Sequence, residues 1–196
     1  MKSPNQFSFN QQLIVSTGTS ANPTIGAILL NVIPGAQRVI QALKQDDKAG
    51  VDWWVETSAT DKRIAVDCKI REDDPQVKYN SDDLALETWS VVGKSVGWTL
   101  DEKKRCDYIL WVFKETGRWV IVPFALLQKS FKARKDEWCS LYRVAQQETD
   151  KRYKSECVFV PRKEIWREIY RQSHGYSEDL KVIHAQQLGL FDDKAA

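Results

Sequence analysis

The sequence predicts a mixed α/β (α+β) domain, in which a central mixed sheet is flanked by helices. Three observations predict it: runs rich in β-branched and aromatic residues, amphipathic runs with a helical period, and an order that mixes the two along the chain. The chain has 196 residues, of which 42% are hydrophobic and 29% are charged. These values are ordinary for one globular domain with a buried core and a tail.

The N-terminal part of the chain, residues 1–34, is predicted to be an extension of loop or strand. Residues 1–24 are rich in Ser, Thr, Asn and Gln, which favours a loop. The apolar run 25–33 fits a buried strand or a helix equally well. Pro34 and Gly35 end this run.

The segment 36–47 is predicted to be the first helix. Val39, Ile40 and Leu43 form one apolar stripe at helical spacing, and polar residues fill the other face. Gly50 follows as a stop signal. The core domain is therefore expected to begin here and to extend over residues 35–175.

The remaining core elements are recognised by their composition and period. Strands are predicted over 51–57, 62–71, 82–92, 106–113, 117–124 and 156–161, with a helix as the alternative for 82–92. Helices are predicted over 124–145 and 162–172. The first two strands are expected to form an antiparallel hairpin because only a short polar segment separates them.

This hairpin groups charged side chains on one face. If its centre lies between Ala59 and Thr60, paired positions sum to 119, and Asp52 lies opposite Asp67. The two-residue period then gives an apolar face and a second face: Val51, Trp53, Val55, Ile64, Val66, Cys68 and Ile70 against Asp52, Trp54, Glu56, Arg63, Ala65, Asp67 and Lys69. A slip of one residue would destroy this separation, so the pattern supports the register.

The second face carries the ingredients of a metal site. Carboxylates about 5 Å apart repel each other unless a cation lies between them. Lys69 supplies part of that charge, and Mg²⁺ (or Mn²⁺) would supply it better, because one or two carboxylates with a substrate phosphate are its usual ligands. Lys69 could then orient or deprotonate the attacking water. The alternative is an exposed Asp-Asp-Lys cluster on a sheet edge without chemistry.

Asp52, followed on the next strand by Asp67-Cys68-Lys69, resembles the motif of the PD-(D/E)XK nuclease superfamily. The resemblance covers about 36–125 and implies a restriction-endonuclease-like core. It also implies that Asp52 and Asp67 bind the metal and that Lys69 is the catalytic lysine. In this superfamily the third strand runs beside the strand with the DxK motif, which implies that Glu87 is a further ligand or a partner of one. A surface glutamate is the alternative for Glu87.

The chain departs from the superfamily pattern at two places. Val51 replaces the proline that precedes the first acidic residue. The predicted first helix offers Gln37 and Gln41 where Holliday-junction resolvases carry a glutamate, so a resolvase specificity is in doubt.

The residues 176–196 are predicted to form a flexible tail with a binding peptide. Within it, Gln187, Leu188, Gly189, Leu190 and Phe191 resemble the QLxLF peptide that binds the bacterial sliding clamp. The resemblance implies that Gln187 hydrogen-bonds at the rim of a pocket, while the leucine and phenylalanine side chains fill it. The alternative is that Leu188, Leu190 and Phe191 fold back onto the core.

Composition excludes several other classes of enzyme. The two histidines both lie near the C-terminus, which argues against a zinc hydrolase and a Ser-His-Asp triad. The longest apolar run is too short to span a bilayer, and no secretory leader is recognised, so a cytoplasmic location is expected.

The net charge of +2 is unevenly distributed along the chain. The middle is acidic, with 12 acidic and 6 basic residues over 46–87, and a later part is basic, with 12 basic and 7 acidic residues over 128–172.

Together these patterns predict a Mg²⁺-dependent DNA endonuclease that hydrolyses phosphodiester bonds. Asp52, Asp67, Lys69 and Glu87 would form its site, the basic helices within 128–172 would contact DNA, and the tail would tether it to the sliding clamp. A non-catalytic DNA- or clamp-binding module with the same fold is the first alternative, and an RNA-directed nuclease is the second. The oligomeric state stays open, a homodimer included.

Overall fold

The computed structural model describes residues 23–43, 46, 49–58, 60–150 and 153–174. Within them the helices are α1 (Pro23–Val32), α2 (Pro75–Tyr79), α3 (Phe124–Leu141) and α4 (Arg162–His174). The strands are β1 (Ala36–Gln41), β2 (Trp53–Thr57), β3 (Thr60–Arg71), β4 (Asp83–Val91), β5 (Ser95–Val96), β6 (Tyr108–Phe113), β7 (Trp119–Pro123), β8 (Val144–Asp150) and β9 (Tyr153–Pro161).

The strands form two sheets. The first has the order β1-β2-β3-β6-β7, and only its β3–β6 pair is parallel. The second has the order β5-β4-β9-β8 and is antiparallel throughout. This content of helices, one mixed sheet and one antiparallel sheet confirms the predicted mixed α+β class.

The five-stranded sheet is buried on both faces. On one face, Ile25 and Leu29 of α1 and Ile33 directly after it recur every four residues and pack against Val55 and Val66. On the other face, a larger core joins the sheet to the second sheet, α3 and α4. The central strands therefore carry apolar residues on both sides, as expected for the interior of a layered domain.

The structure corrects the prediction for the first two elements. The ambiguous run is the helix α1, which confirms the helix alternative for this run. The extension of loop or strand is therefore wrong over Pro23–Val32. The segment predicted as a helix begins instead with the strand β1, which pairs with β2, while Leu43 is 65% exposed. The β-branched Val39 and Ile40 suit an edge strand as well as a helix, and pairing with β2 decides between them. The positive φ of Gly35 makes the turn from α1 into β1.

The register of the β2–β3 hairpin agrees with the prediction. Trp53 pairs with Val66, Trp54 with Ala65 and Val55 with Ile64, and each pair sums to 119. A bulge near Thr57 shifts the register only close to the turn. The predicted separation of faces follows along these strands, with the exception that Val51 packs into the larger core.

The later elements agree with the prediction in type but not all in place. The β6–β7 hairpin, β9, α3 and α4 overlap the predicted elements. The predicted end of α3 is wrong, because the helix ends at Leu141 and the strand β8 begins at Val144. The run predicted as a third strand is β4, but it belongs to the second sheet, so its predicted place beside β3 is wrong. The parallel strand β6, whose side chains are almost entirely buried, holds that place instead.

No helix among the described residues is both long and apolar enough to cross a bilayer. The predicted limits of the core domain at residues 35 and 175 stay predictions. The predicted tail lies outside the described residues.

The packing of α1 predicts a difference between two adjacent leucines. Leu29 is fully buried against the sheet, whereas Leu30 is 44% exposed on the same helix. Leu29→Ala is expected to lower the free energy of unfolding by about 3 kcal/mol, because it leaves a cavity. Leu30→Ala should change it by less than about 1 kcal/mol. Urea denaturation of both variants checks this, and equal effects would contradict the position of α1.

Candidate functional site

Backbone hydrogen bonds at the start of β2 bring Asp52 to the middle of β3. The Asp52 N–H donates to the carbonyl of Val66 at 2.9 Å. The backbone N–H of Cys68 donates to Asp52 Oδ2 at 2.7 Å. The Asp52 side chain thus continues the β2–β3 ladder where β2 begins, and its carboxylate is fixed beside Asp67.

Asp67 is a buried carboxylate at the centre of the five-stranded sheet, with 4% of its surface exposed. Its Oδ2 lies 2.7 Å from Lys69 Nζ and 3.0 Å from Lys104 Nζ. Burial alone would raise the pKa of Asp67, but the two ammonium groups lower it below its usual value. Asp67 is therefore ionised at neutral pH.

Lys104 is a site residue that the sequence analysis missed. Its side chain is only 6% exposed, and its Nζ lies 3.4 Å from the carbonyl oxygen of Gly50. Gly50 has a φ of +76°, and a Cβ at this position would overlap the Lys104 ammonium. Lys104 lies four residues before β6, so only the parallel pairing of β6 with β3 brings it to Asp67. No local pattern signals that pairing.

Lys69 is held between a carboxylate and an aromatic ring. Its Nζ contacts Asp67 and lies 5.2 Å from the ring centre of Trp98. Burial lowers the pKa of Lys69, but Asp67 first, and then Asp52 and Glu87, raise it above its usual value. Lys69 is therefore a charged donor at neutral pH, which suits the orienting of a water or phosphate better than the removal of a proton.

Glu87 approaches this cluster from the second sheet. Its Oε2 accepts a hydrogen bond from the backbone N–H of Trp98 at 3.0 Å. Gly97 permits this contact, because a Cβ there would overlap the backbone of Glu87. Burial raises the pKa of Glu87, and the charge of Lys69 acts against that rise. Glu87 thus faces Lys69 and the turn at Trp98, although its strand is not a neighbour of β3.

Burial and the neighbouring Asp67 both disfavour the ionised form of Asp52. Burial first, and then the charge of Asp67, raises the pKa of Asp52 to about 6 from its usual 3.8. A cation between the two carboxylates would relieve the same repulsion.

The donors present fit a hard divalent cation with few protein ligands. Among the described residues, no group of three or more His, Cys, Asp or Glu side chains is arranged to hold a metal ion. Asp52 and Asp67 offer two carboxylates, which matches Mg²⁺ sites that are completed by substrate phosphate and water. Burial and the charge of Asp67 together raise the pKa of Asp52, and a cation between the two carboxylates would offset both effects.

The structure thus brings together Asp52, Asp67 and Lys69 and adds Glu87 on the side of Lys69. The residues predicted to bind the sliding clamp, Gln187, Leu188, Leu190 and Phe191, lie outside the described residues.

Comparison with protein-family models, with curated proteins and with solved structures found no match to this chain.

The raised pKa of Asp52 predicts a gain in stability from neutralising it. The folded state holds this proton more tightly than the unfolded state, so the contribution is present below about pH 3.8 and is lost as the pH rises through about 6. Asp52→Asn is expected to raise the free energy of unfolding at about pH 8 by about 2 kcal/mol and to change it little at about pH 4. The asparagine can still accept from Cys68 and donate to Asp67.

Chemical denaturation at both pH values measures this difference. Asp61→Asn is the matched control, because Asp61 is an exposed carboxylate on β3. A stabilisation that is equal at both pH values, or absent at about pH 8, would contradict the assigned environment of Asp52.

Proposed function

We propose that this protein is a metal-dependent DNA endonuclease of the PD-(D/E)XK type, with a restriction-endonuclease-like core. The observation that carries this proposal is the meeting of Asp52, Asp67 and Lys69 on one face of the β2–β3 hairpin. Hydrogen bonds and ion pairs of 2.7 Å connect this group through Cys68 and Asp67. One carboxylate, Asp67, is enough to form the ion pair with Lys69. A second carboxylate beside it is the arrangement expected of a cation-binding site.

In this proposal Asp52 and Asp67 hold a divalent cation, Mg²⁺ or Mn²⁺. When bound, such a cation lowers the pKa of water and neutralises charge that develops on phosphate oxygens. The carboxylates are suited to hold it because Asp67 is ionised and Asp52 loses its proton near pH 6. Activity is accordingly expected to rise with pH across that value.

The lysine and the glutamate act on the substrate side of the same site. Lys69, kept charged by Asp67, donates hydrogen bonds to the attacking water or to the scissile phosphate. Glu87 balances the charge of Lys69. Its hydrogen bond to the Trp98 backbone also positions Trp98, whose ring lies next to the Lys69 ammonium. Both groups position the reacting atoms.

The basic residues of 128–172 are proposed to contact the DNA backbone. Lys129 on α3 and Lys163 on α4 are exposed, and the two helices pack against each other. Backbone contacts of this kind give affinity that falls as the salt concentration rises.

A non-catalytic module that keeps this fold is the second candidate, and Lys104 is the observation that favours it. Its buried ammonium already neutralises the Asp67 oxygen that Lys69 also contacts. Two ammonium groups neutralise the charge of this one carboxylate without a metal ion. In this candidate the site residues stabilise the sheet, and the protein binds DNA or the sliding clamp without cutting DNA.

Cleavage separates the two candidates. The parent protein is expected to cut plasmid, single-stranded or branched DNA with Mg²⁺ or Mn²⁺ and not with EDTA. Lys69→Ala should lower the rate about 100-fold or more, because it removes a donor to developing charge. Lys103→Ala removes a lysine that is exposed one residue from Lys104 and should leave the rate unchanged. Gel electrophoresis of the products measures all of these rates.

Asp52→Asn tests whether a loss of cleavage merely reflects a loss of folding. This variant is expected to lose cleavage although it is more stable than the parent at about pH 8. If none of the three DNA forms is cut under any of these conditions, the proposal of a DNA endonuclease is wrong. Equal cutting by the parent and Lys69→Ala would assign the activity to a contaminant.

The tail is proposed to tether the protein to a bacterial sliding clamp in a replication, repair or phage DNA-processing setting. The support is the sequence of Gln187, Leu188, Leu190 and Phe191. A cytoplasmic location, where thiols stay reduced, agrees with the four free cysteines.

Alanine at both Leu190 and Phe191 is expected to abolish binding to a bacterial clamp in surface plasmon resonance, because it empties the apolar anchors. Leu180→Ala, in the same tail but outside the peptide, should bind like the parent. Failure of the parent to bind, or unchanged binding of the double variant, would contradict the proposal that the tail binds the clamp.

A further inference from the structure

A cleft of about 480 Å³ opens between the two sheets, apart from the cluster around Asp67. Strands β3, β4, β6 and β9, together with α2 and the segment after α3, contribute its walls. The lining residues include Arg71, Asp83, Ala85, Trp111, Arg143 and Phe159. This volume suits one nucleotide or a ligand of similar size. A duplex cannot enter a space of that size.

The cleft begins where the candidate active site ends. Side chains two residues apart on a strand share a face, so Arg71 follows Lys69 along β3. On β4, Ala85 and Asp83 follow Glu87 in the same way. Arg71 of the first row and Asp83 and Ala85 of the second line the same cleft, so these two rows face each other. The cleft therefore extends the same gap between the sheets.

Aromatic rings and a guanidinium form much of its surface. Among the lining residues, Trp111 and Phe113 are buried, whereas Tyr79 has 63% of its surface exposed. The guanidinium of Arg143 lies 3.7 Å from the ring centre of Phe159 and forms a flat, exposed layer above it. Flat aromatic and guanidinium surfaces are those on which single-stranded bases stack.

The charges around the cleft leave two arginines for a ligand. Glu72 pairs with Lys114 at 2.6 Å, and Asp73 pairs with Lys78. Among the described residues, no carboxylate lies within ion-pair distance of Arg71 or Arg143. These guanidinium groups are thus available to phosphate oxygens, which Arg binds in a bidentate way.

We propose that this cleft receives an unpaired nucleotide of the DNA next to the scissile phosphate, so that the protein selects single-stranded or flapped DNA over intact duplex. The base stacks at Tyr79 and at the Arg143–Phe159 layer, and Asp83 accepts a hydrogen bond from an exocyclic amino group. Arg71 contacts the phosphate that connects this nucleotide to the part of the DNA that lies at Lys69. This inference rests on the proposed function, because it takes DNA as the substrate.

Binding without divalent cations tests the inference separately from cleavage. Fluorescence anisotropy in EDTA compares a labelled single strand with the duplex of the same sequence, using the full chain. The parent should bind the single strand at least about tenfold more tightly. Tyr79→Ala and Arg143→Ala should each weaken single-strand binding about tenfold. Both residues are exposed, so neither variant removes core packing. Arg38→Ala, which removes an equal charge from the exposed edge strand β1, should bind like the parent.

A 2-aminopurine base in the single strand reports the stacking directly, because stacking quenches its fluorescence. Quenching by the parent and its loss in Tyr79→Ala would support the inference. Equal affinity for single strand and duplex, or parent-like binding by both cleft variants, would overturn it even if the protein cuts DNA. The expected binding pattern without any cleavage would keep the cleft assignment and overturn the endonuclease.

Discussion

The neutralisation of one buried carboxylate constrains the rest of this structure. Asp67 is 4% exposed at the centre of the five-stranded sheet, and an unpaired charge there would cost several kcal/mol. Lys69 arrives from the same strand, and Lys104 arrives from the segment before β6. The parallel pairing of β6 with β3 and the positive φ of Gly50 are both needed to admit Lys104.

The same neutralisation links stability to the proposed chemistry. Three carboxylates, those of Asp52, Asp67 and Glu87, meet two ammonium groups, which leaves an excess of negative charge. Burial first, and then the charge of Asp67, raises the pKa of Asp52. Either a proton or a cation can satisfy that excess. The cluster is therefore more stable when Asp52 is neutral, whereas the proposed mechanism needs Asp52 ionised to hold a metal. This opposition between stability and function is common at active sites.

The hairpin could be predicted from the sequence because its information is local. The two-residue period and the short turn fixed the pairing of Trp53 with Val66, and with it the meeting of Asp52 and Asp67. The strand β1 was mistaken for a helix because Val39 and Ile40 suit both, and pairing with β2 decides the outcome. The place of Glu87 in the second sheet and the approach of Lys104 depend on contacts between segments distant in sequence, which no local pattern reveals.

A crystal structure with Mn²⁺ and a non-cleavable phosphorothioate single strand is the most direct measurement of the central claim. The account predicts an anomalous peak that contacts both Asp52 and Asp67, with Lys69 directed at a phosphate oxygen. Bound DNA without a peak, with Lys69 and Lys104 still on Asp67, would contradict the metal-dependent mechanism and leave the cluster a structural ion-pair network.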